Sequence, residues 1–548
     1  MNQETLKKVN SVLKLPDKLG EENKSMPIKC QDLRNLYGGL DYRISYNSES
    51  DSPYKDIMYD VSAPLYWTSS QNVWVVNGIL EPMLGNTPLL ATKITGGILG
   101  MFDYEVANSH YLIFNGGDGQ FYLFNGTGVA PTVLKTGLSI TASCNYTQFL
   151  QKAVVCNGTN EAFIYDKTTN TVTNTGIFAV RGVNGQVCCS YASRLWIADG
   201  ANLYYSDLGD PTQWVDDPSN NLFGGYINNF MGNTDNITWM ENMGPYMVIG
   251  TSNHIYLLSG NDTSSFAIEG FDNVGTSSPT GGIHFNGNEY FFNNKNLNLT
   301  LITGKSDEGQ LHLGASLTDK IHINLATLLD LNSLNTITIV PYPAKNQIWM
   351  YVKQNNVDNL SLCYIFDFQY YNQKQLVPIY LRVGTPATTA CNYNAKVYTG
   401  TSSGQIYLED TGNTFGGDYN ASNGSWYKFY TNFPKMELGQ ASVYKTIEGI
   451  KFLVNSSRTN NFNIELAYQG IVNNVITIPV NVPNNIFNLG SDYLGSGKIL
   501  GQNTDLPVFI PSGADFQSIA IGISGTSVQN DFGIRMFSLS NIQDLQSL

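Results

Sequence analysis

Seven times between residues 111 and 410 the chain repeats one short pattern: an apolar run of about four residues, a turn of Gly, Asn, Asp or Lys, and a second, aromatic-rich run. The copies are YLIFNGGDGQFYLFNG from Tyr111, AVVCNGTNEAFIYD from Ala153, RLWIADGANLYYSD from Arg194 and YMVIGTSNHIYLLSG from Tyr246. EYFFNNKNLNLTLITG from Glu289, QIWMYVKQNNVDNLSLCYIFD from Gln347 and AKVYTGTSSGQIYLED from Ala395 complete the series. Each has the signature of a β-hairpin. Their starts lie 41 to 58 residues apart, near the roughly 40 to 50 residues of one four-stranded propeller blade. The inner strands of a blade face neighbours on both sides, which turns them into short continuous apolar runs instead of alternating ones. Residues 86–435 are therefore predicted to form a six- or seven-bladed β-propeller. The competing reading is a set of unrelated hairpins in β-sandwiches, since no residue recurs strictly at one position.

The flanks follow other rules. In FNIELAY, Phe462, Ile464, Leu466 and Tyr468 fall on one face and Asn463, Glu465 and Ala467 on the other. VITIPVNV, KTIEGIKFLV and SIAIGISG continue in that style, so residues 436–548 are predicted to form a β-sandwich-like platform domain with one solvated face. Residues 1–85 are expected to contribute to the same platform. Within them Leu6, Val9, Val12 and Leu13 fall at helical spacing before Pro16, and residues 46–55 read as an exposed loop. The expected class is all-β, a propeller plus a platform, with few short helices.

Composition agrees with short strands and many turns. Only 14% of the 548 residues are charged, against about 25% in ordinary soluble domains, while 52 Gly, 33 Tyr and 26 Phe are present. The net charge is −14 and Lys and Arg never gather into a run. That argues against tight nucleic-acid binding by counterion release, and leaves room for a surface past which a polyanion slides without sticking. The seven cysteines, Cys30, Cys144, Cys156, Cys188, Cys189, Cys363 and Cys391, are odd in number and lack a CxxC pair. Free thiols in strands and a reducing compartment are expected. The N-terminus has no secretory signal pattern and no run of 18 apolar residues occurs, so a soluble protein made in a cytoplasm is expected.

The search for chemistry returns little. His110, His254, His284, His312 and His322 show no metal-motif spacing; His312 and His322 read as lying on a strand and a following helix, satisfied or exposed. LGSDYLGSGKIL (489–500) lacks phosphate-loop spacing and has Ile499 where magnesium needs a hydroxyl. ISGTS (523–527) lacks the second Gly of a nucleophile elbow and reads as a turn. SDLGDPTQW (206–214) is similar to the Asp-box of sialidase propellers, but its register is off by one and it is solitary. Even a true Asp-box is a structural turn, and glycosidase chemistry needs placed carboxylates besides. Arg34, Arg43, Arg181, Arg194, Arg382, Arg458 and Arg535 are too dispersed to suggest a carboxylate clamp. Asp216 with Asp217, and Glu409 with Asp410, would face opposite sides of a strand and read as solvated loop charges. Tyr204, Tyr205, Trp239, Tyr246, Trp349 and Tyr351 read as core packing ahead of a sugar platform. No catalytic, cofactor-binding or metal-binding residue is assigned, no cofactor is expected, and the chain is read as not an enzyme.

LWIADGANLYYSDLGDPTQW, followed by ITWMENMGPYMVIGTSNHIYLLSG, resembles the tail nozzle (tail tubular protein B, or packaged-DNA stabilisation) proteins of short-tailed bacteriophages. The motif covers about residues 190–260, and the order of elements extends the likeness over 90–548. The resemblance implies a virion tail protein, assembled in the host cytoplasm as a homo-oligomeric ring of six below the portal and adaptor. It also implies contact with tail fibre or needle proteins, and a channel through which DNA passes without sequence-specific binding. No membrane-spanning segment belongs to that picture. A sialidase-like propeller glycosidase and a carbohydrate-binding receptor module are the alternatives, since propellers host many functions.

Overall fold

The computed structural model describes residues 39–40, 66–76, 79–216, 222–227, 235–272, 274–305, 311–355, 361–369, 371, 377–411, 427–433, 444–456, 460–469, 474–482, 505–511, 518–527 and 532–545. The expected N-terminal helix, the loop at 46–55 and the glycine-rich segment 489–500 lie outside them. The chain divides into two compact units, one of residues 84–377 and 382–425, the other of residues 1–83, 378–381 and 426–548.

Seven four-stranded antiparallel sheets follow one another in chain order. Blade 1 is Ile98–Val106, Ser109–Gly116, Phe121–Leu123 and Thr132–Lys135, written from the inside outward, and blade 2 is Asn145–Phe149, Lys152–Cys156, Phe163–Asp166 and Thr171–Asn174. Blade 3 is Val187–Tyr191, Arg194–Asp199, Asn202–Tyr205 and Gly225–Ile227, and blade 4 is Ile237–Asn242, Tyr246–Thr251, His254–Ser259 and Ala267–Asp272. Blade 5 is Gly282–Phe285, Asn288–Asn293, Asn298–Lys305 and Leu311–Ser316, and blade 6 is Thr338–Tyr342, Gln347–Lys353, Ser361–Asp367 and Ile379–Val383. Blade 7 takes Ala387–Tyr393, Lys396–Thr401 and Ile406–Glu409, and borrows its fourth strand, Asn86–Pro88, from the start of the propeller.

The innermost strands lie side by side in order from blade 1 to blade 7, and that of blade 7 lies against that of blade 1, so the ring closes at seven blades. Every hairpin of the sequence pattern is the middle pair of strands of one blade. Those strands are mostly apolar because both faces are covered. On Gln347–Lys353 six consecutive residues are buried. The sheets pack face to face through Phe121 and Phe163 between blades 1 and 2, and through Trp196 and Tyr256 between blades 3 and 4.

The innermost strands are more polar than the hairpins, and their side chains stitch each blade to the next. Gln148 of blade 2 accepts from Glu105 N and donates to Glu105 O of blade 1 at 3.1 and 2.7 Å. Asn145 Oδ1 accepts from Cys188 N of blade 3 at 2.9 Å, and Asn242 of blade 4 donates to Ser190 O of blade 3 at 2.7 Å. Thr238 of blade 4 donates to Thr276 O, at the entry to blade 5, at 2.5 Å, and Thr280 donates to Ile337 O, at the entry to blade 6, at 3.0 Å. Asn392 of blade 7 donates to Pro341 O of blade 6 at 2.8 Å, and Thr388 closes the circle on Ile98 O of blade 1 at 2.8 Å. Each bond pairs a backbone group at the inner edge of one blade with a side chain of its neighbour or of the adjoining connector.

The other unit holds two five-stranded antiparallel sheets. One runs Ser69–Gln71, Tyr427–Asn432, Ser518–Ser527, Asn460–Gln469, Asn474–Val482. The second runs Asp505–Pro511, Tyr444–Ser456, Phe532–Leu545, Ile79–Pro82, Val73–Val76. Phe462, Ile464, Leu466 and Tyr468 are buried and the residues between them half-exposed, as the alternation predicts. Their partners continue the apolar face, with Ile464 opposite Ile523 and Leu466 opposite Ile521. The expected turn at 523–527 is instead the end of the strand Ser518–Ser527. Gly525 stands there because the Phe429 ring lies across it, where a Cβ would come within 2.5 Å of that ring. Among the described residues helix is confined to short pieces, the longest being His322–Leu328. No helix among the described residues is long and apolar enough to cross a membrane. The fold is all-β, a seven-bladed propeller with a β-sandwich-like unit.

Candidate functional site

SDLGDPTQW forms the connection between the third and fourth strands of blade 3. Ser206 is buried: its Oγ accepts from Leu195 N at 3.0 Å and donates to Asp207 O at 2.9 Å. Asp207 Oδ1 accepts from Gly224 N at 2.6 Å, which brings the two ends of the connection together. Asp210 Oδ1 takes both the backbone N–H and the hydroxyl of Thr212, at 2.9 and 2.7 Å. Gly209 adopts a φ of 76°, a conformation that favours glycine, so that its N–H reaches Ser193 O at 2.8 Å. Trp214 is fully buried between blades 2 and 3, among Val154, Ile164, Ile177 and Leu195, and its Nε1 donates to Thr175 O at 2.9 Å. Beneath the turn the buried Arg194 donates from Nη1 to the carbonyls of Ser206, Leu222 and Phe223 at 2.6, 3.2 and 2.9 Å. The turn and its arginine are a blade closure: the hydrogen bonds of Ser206, Asp207, Asp210 and Arg194 are spent on the fold.

A second polar cluster closes the ring. Glu409, at the end of the third strand of blade 7, is buried with Arg382, their side chains 0% and 2% exposed. Glu409 Oε2 accepts from Arg382 Nε and Nη2 at 3.2 and 2.6 Å. Its Oε1 accepts from Thr399 Oγ1, Thr385 Oγ1 and Asn86 Nδ2 at 2.6, 2.7 and 3.4 Å. Arg382 donates further to Leu84 O and Gly85 O at 2.5 and 2.7 Å and lies over the Trp349 ring at 5.4 Å. Beside it Asp410 Oδ2 meets Lys345 Nζ at 2.5 Å and accepts from the Tyr342 hydroxyl at 3.1 Å. Burial, and then the neighbouring Asp410 charge, push the Tyr342 hydroxyl well above the ordinary tyrosine range. The expectation of solvated loop charges at Glu409 and Asp410 is corrected here. Asp410 takes a φ of 56°, which breaks strand alternation, and both carboxylates are buried against cations of the same propeller. With five donors on Glu409 the cluster is a latch that holds the strand Asn86–Pro88, not an acid or base for a substrate.

At the axis, the connector 274–281 ahead of blade 5 spans blades that are not neighbours. Pro279 O accepts from Asn145 of blade 2 at 3.3 Å, while Ser278 Oγ donates to Ile337 O, at the entry to blade 6, at 2.5 Å. Within it Thr276 and Ser278 are buried. This strap therefore crosses one mouth of the space enclosed by the seven innermost strands.

The remaining sequence candidates separate cleanly. His110, His254 and His284 pair with Asp103, Asp235 and Glu289 at 2.9, 3.2 and 3.3 Å. His322 Nε2 lies 2.8 Å from Asn296 O, at the start of the helix His322–Leu328, and His312 sits on the strand Leu311–Ser316. Among the described residues no three His, Cys, Asp or Glu side chains come together to hold a metal. Cys144, Cys156, Cys188, Cys189, Cys363 and Cys391 are buried free thiols, and burial pushes Cys144 up to about 12. Trp239, Trp349, Tyr351 and Tyr204 are core residues, with Tyr205 and Tyr246 half-buried. Asp216 is exposed. Cys30, Arg34, Arg43, Arg458 and Asp217 lie outside the described residues.

No protein-family model and no curated protein matches the chain. Among solved structures it is similar to PorZ, an essential bacterial surface component of the type-IX secretion system of Porphyromonas gingivalis. That likeness has 11% identity and a TM-score of 0.36 over 67% of this chain, and spans 44% of the PorZ chain. It is also similar to YCF48 bound to D1 peptide, at 10% identity and a TM-score of 0.38, covering 60% of this chain and 99% of that one. Virginiamycin B lyase from Staphylococcus aureus is similar at 10% identity and a TM-score of 0.39, with the same coverage, 60% and 99%. These likenesses assign no activity.

Proposed function

We propose that the chain is a structural virion protein of a short-tailed bacteriophage, a tail nozzle subunit. Six copies form a ring below the portal and adaptor, enclose the DNA channel, retain the packaged genome and let it pass on ejection. The reading rests on residues 190–260. The hairpin, the clamped SDLGDPTQW turn and the hairpin of the next blade follow one another there in the order of the family motif, and the turn serves the fold. A chain of net charge −14 without a run of cations suits a wall that DNA passes without adhering. In such a ring each copy presents one surface to its neighbour and a different surface to the other side, and closure limits the assembly. Electron microscopy and light scattering of the purified protein with its adaptor test this. Rings with a central channel are expected; monomers alone, with and without the adaptor, would exclude it.

A further inference from the structure

Blades 4 and 5 meet across an apolar surface that contains two carboxyl groups. On Ile237–Asn242, Trp239 and Glu241 are two residues apart and share a face; on Asn288–Asn293, Glu289 and Phe291 do the same. Trp239 lies flat on the backbone of Gly282 of blade 5, where a Cβ would come within 2.0 Å of the indole, and it stacks on Phe291 with centroids 6.3 Å apart. The facing surfaces thus carry Glu241 from blade 4 and Glu289 from blade 5. Glu289 is fully buried, and its Oε1 has no hydrogen-bond partner. Its Oε2 lies 3.3 Å from Nδ1 of His284, its register partner on the innermost strand of blade 5. Cys189, on the innermost strand of blade 3, is the further titratable group acted on by both carboxyls.

We propose that Glu241 and Glu289 make the junction of blades 4 and 5 a proton-operated clasp, sealed while the carboxyls hold their protons and loosened when they lose them. A neutral Glu289 can sit in this interface, its hydroxyl directed at His284. An ionised Glu289 leaves a buried charge facing a second carboxylate, and two such charges in an apolar interface repel each other and draw water in. Burial raises both groups above the ordinary carboxyl range, and Glu241 raises Glu289 further. This inference does not depend on the assembly proposed above.

The test is hydrogen exchange of the whole chain from about pH 6 to about pH 9, corrected for intrinsic exchange, with wild type beside Glu289→Gln and Glu241→Gln. In wild type the opening equilibrium of Ile237–Asn242 and Gly282–Phe285 should rise by up to about tenfold per pH unit for each carboxyl that ionises. Blades 2 and 3 should stay protected, and the glutamine variants should lose the dependence. If wild type shows no loss, if blades 2 and 3 open in step, or if both glutamine variants track wild type, the clasp does not exist. Should Glu289→Gln fail to fold, the half-buried Glu241→Gln decides the matter alone.

Discussion

Arg382 Nη2 and Glu409 Oε2 lie 2.6 Å apart with neither side chain exposed by more than 2%. Arg382 precedes blade 7 in the chain and Glu409 ends its third strand; Arg382 grips the backbone at Leu84 and Gly85 just ahead of the borrowed strand, and Glu409 accepts from the Asn86 side chain within it. Removing the cation alone leaves a buried carboxylate with its remaining donors only. Arg382→Ala should therefore cost about 3–5 kcal/mol, read as a lowered urea midpoint. The double variant Arg382→Met with Glu409→Leu should recover part of that loss.

Trp214 contributes an indole buried between two blades and a hydrogen bond to Thr175 O. Trp214→Ala should destabilise by about 3–5 kcal/mol. Trp214→Phe, which keeps a ring but leaves that carbonyl without its donor, should cost about 1–3 kcal/mol. Calorimetry of the two variants separates the ring from the bond.

The turn between the first two strands of blade 2 places Leu150 and Gln151 at φ of 46° and 60°. Neither residue type favours that conformation, and Leu150 is exposed. Replacing the pair by Asn-Gly should stabilise the protein by roughly 0.5–1 kcal/mol, because the hairpin turn with two positive φ angles prefers those residues. The Tyr104 hydroxyl, which donates to the backbone of residue 151 at 2.6 Å, is untouched by the exchange. A raised melting temperature is the expected reading.

Burial pushes Asp367 up to about 6, against the pull of Gln369 N–H and of the Gln347 side chain. The folded chain thus holds this proton more tightly than the unfolded chain. Its contribution to stability is fully present below the ordinary aspartate value of about 3.9 and is lost as pH rises through about 6. Urea midpoints measured from about pH 4 to about pH 7 should fall in wild type. The fall should be smaller in Asp367→Asn by the equivalent of roughly 2–3 kcal/mol.

The hairpins were legible because the middle strands of a blade are buried on both faces and must be apolar. The innermost strands were not. NYTQF and ATTACNY carry Asn, Gln and Thr for the bonds between blades, and the turns after the innermost strands of blades 1, 2, 3 and 7 use Ala107-Asn108, Leu150-Gln151, Ala192-Ser193 and Asn394-Ala395 at positive φ without glycine. Alternation in FNIELAY survived intact because one face of that sheet is covered and the other is not. Glu409 and Asp410 misled because one residue in a left-handed conformation ends the strand's alternation, and a sequence pattern cannot register a single φ. The off-register SDLGDPTQW was readable as a turn. The arginine beneath it was not, since Arg194 stands twelve residues away from the carbonyl at Ser206 that it binds.

Blade 7 pairs Asn86 with Glu409 across 323 residues of chain. On the ribosome, blades 1 to 6 can form in order as they emerge, while the strand Asn86–Pro88 must wait, made early and without its sheet, until Ile406–Glu409 arrives. Such a long closure is slow. Docking of Asn86–Pro88 is thus the last event of propeller folding, and the latch of Arg382 and Glu409 holds the strand once it has arrived.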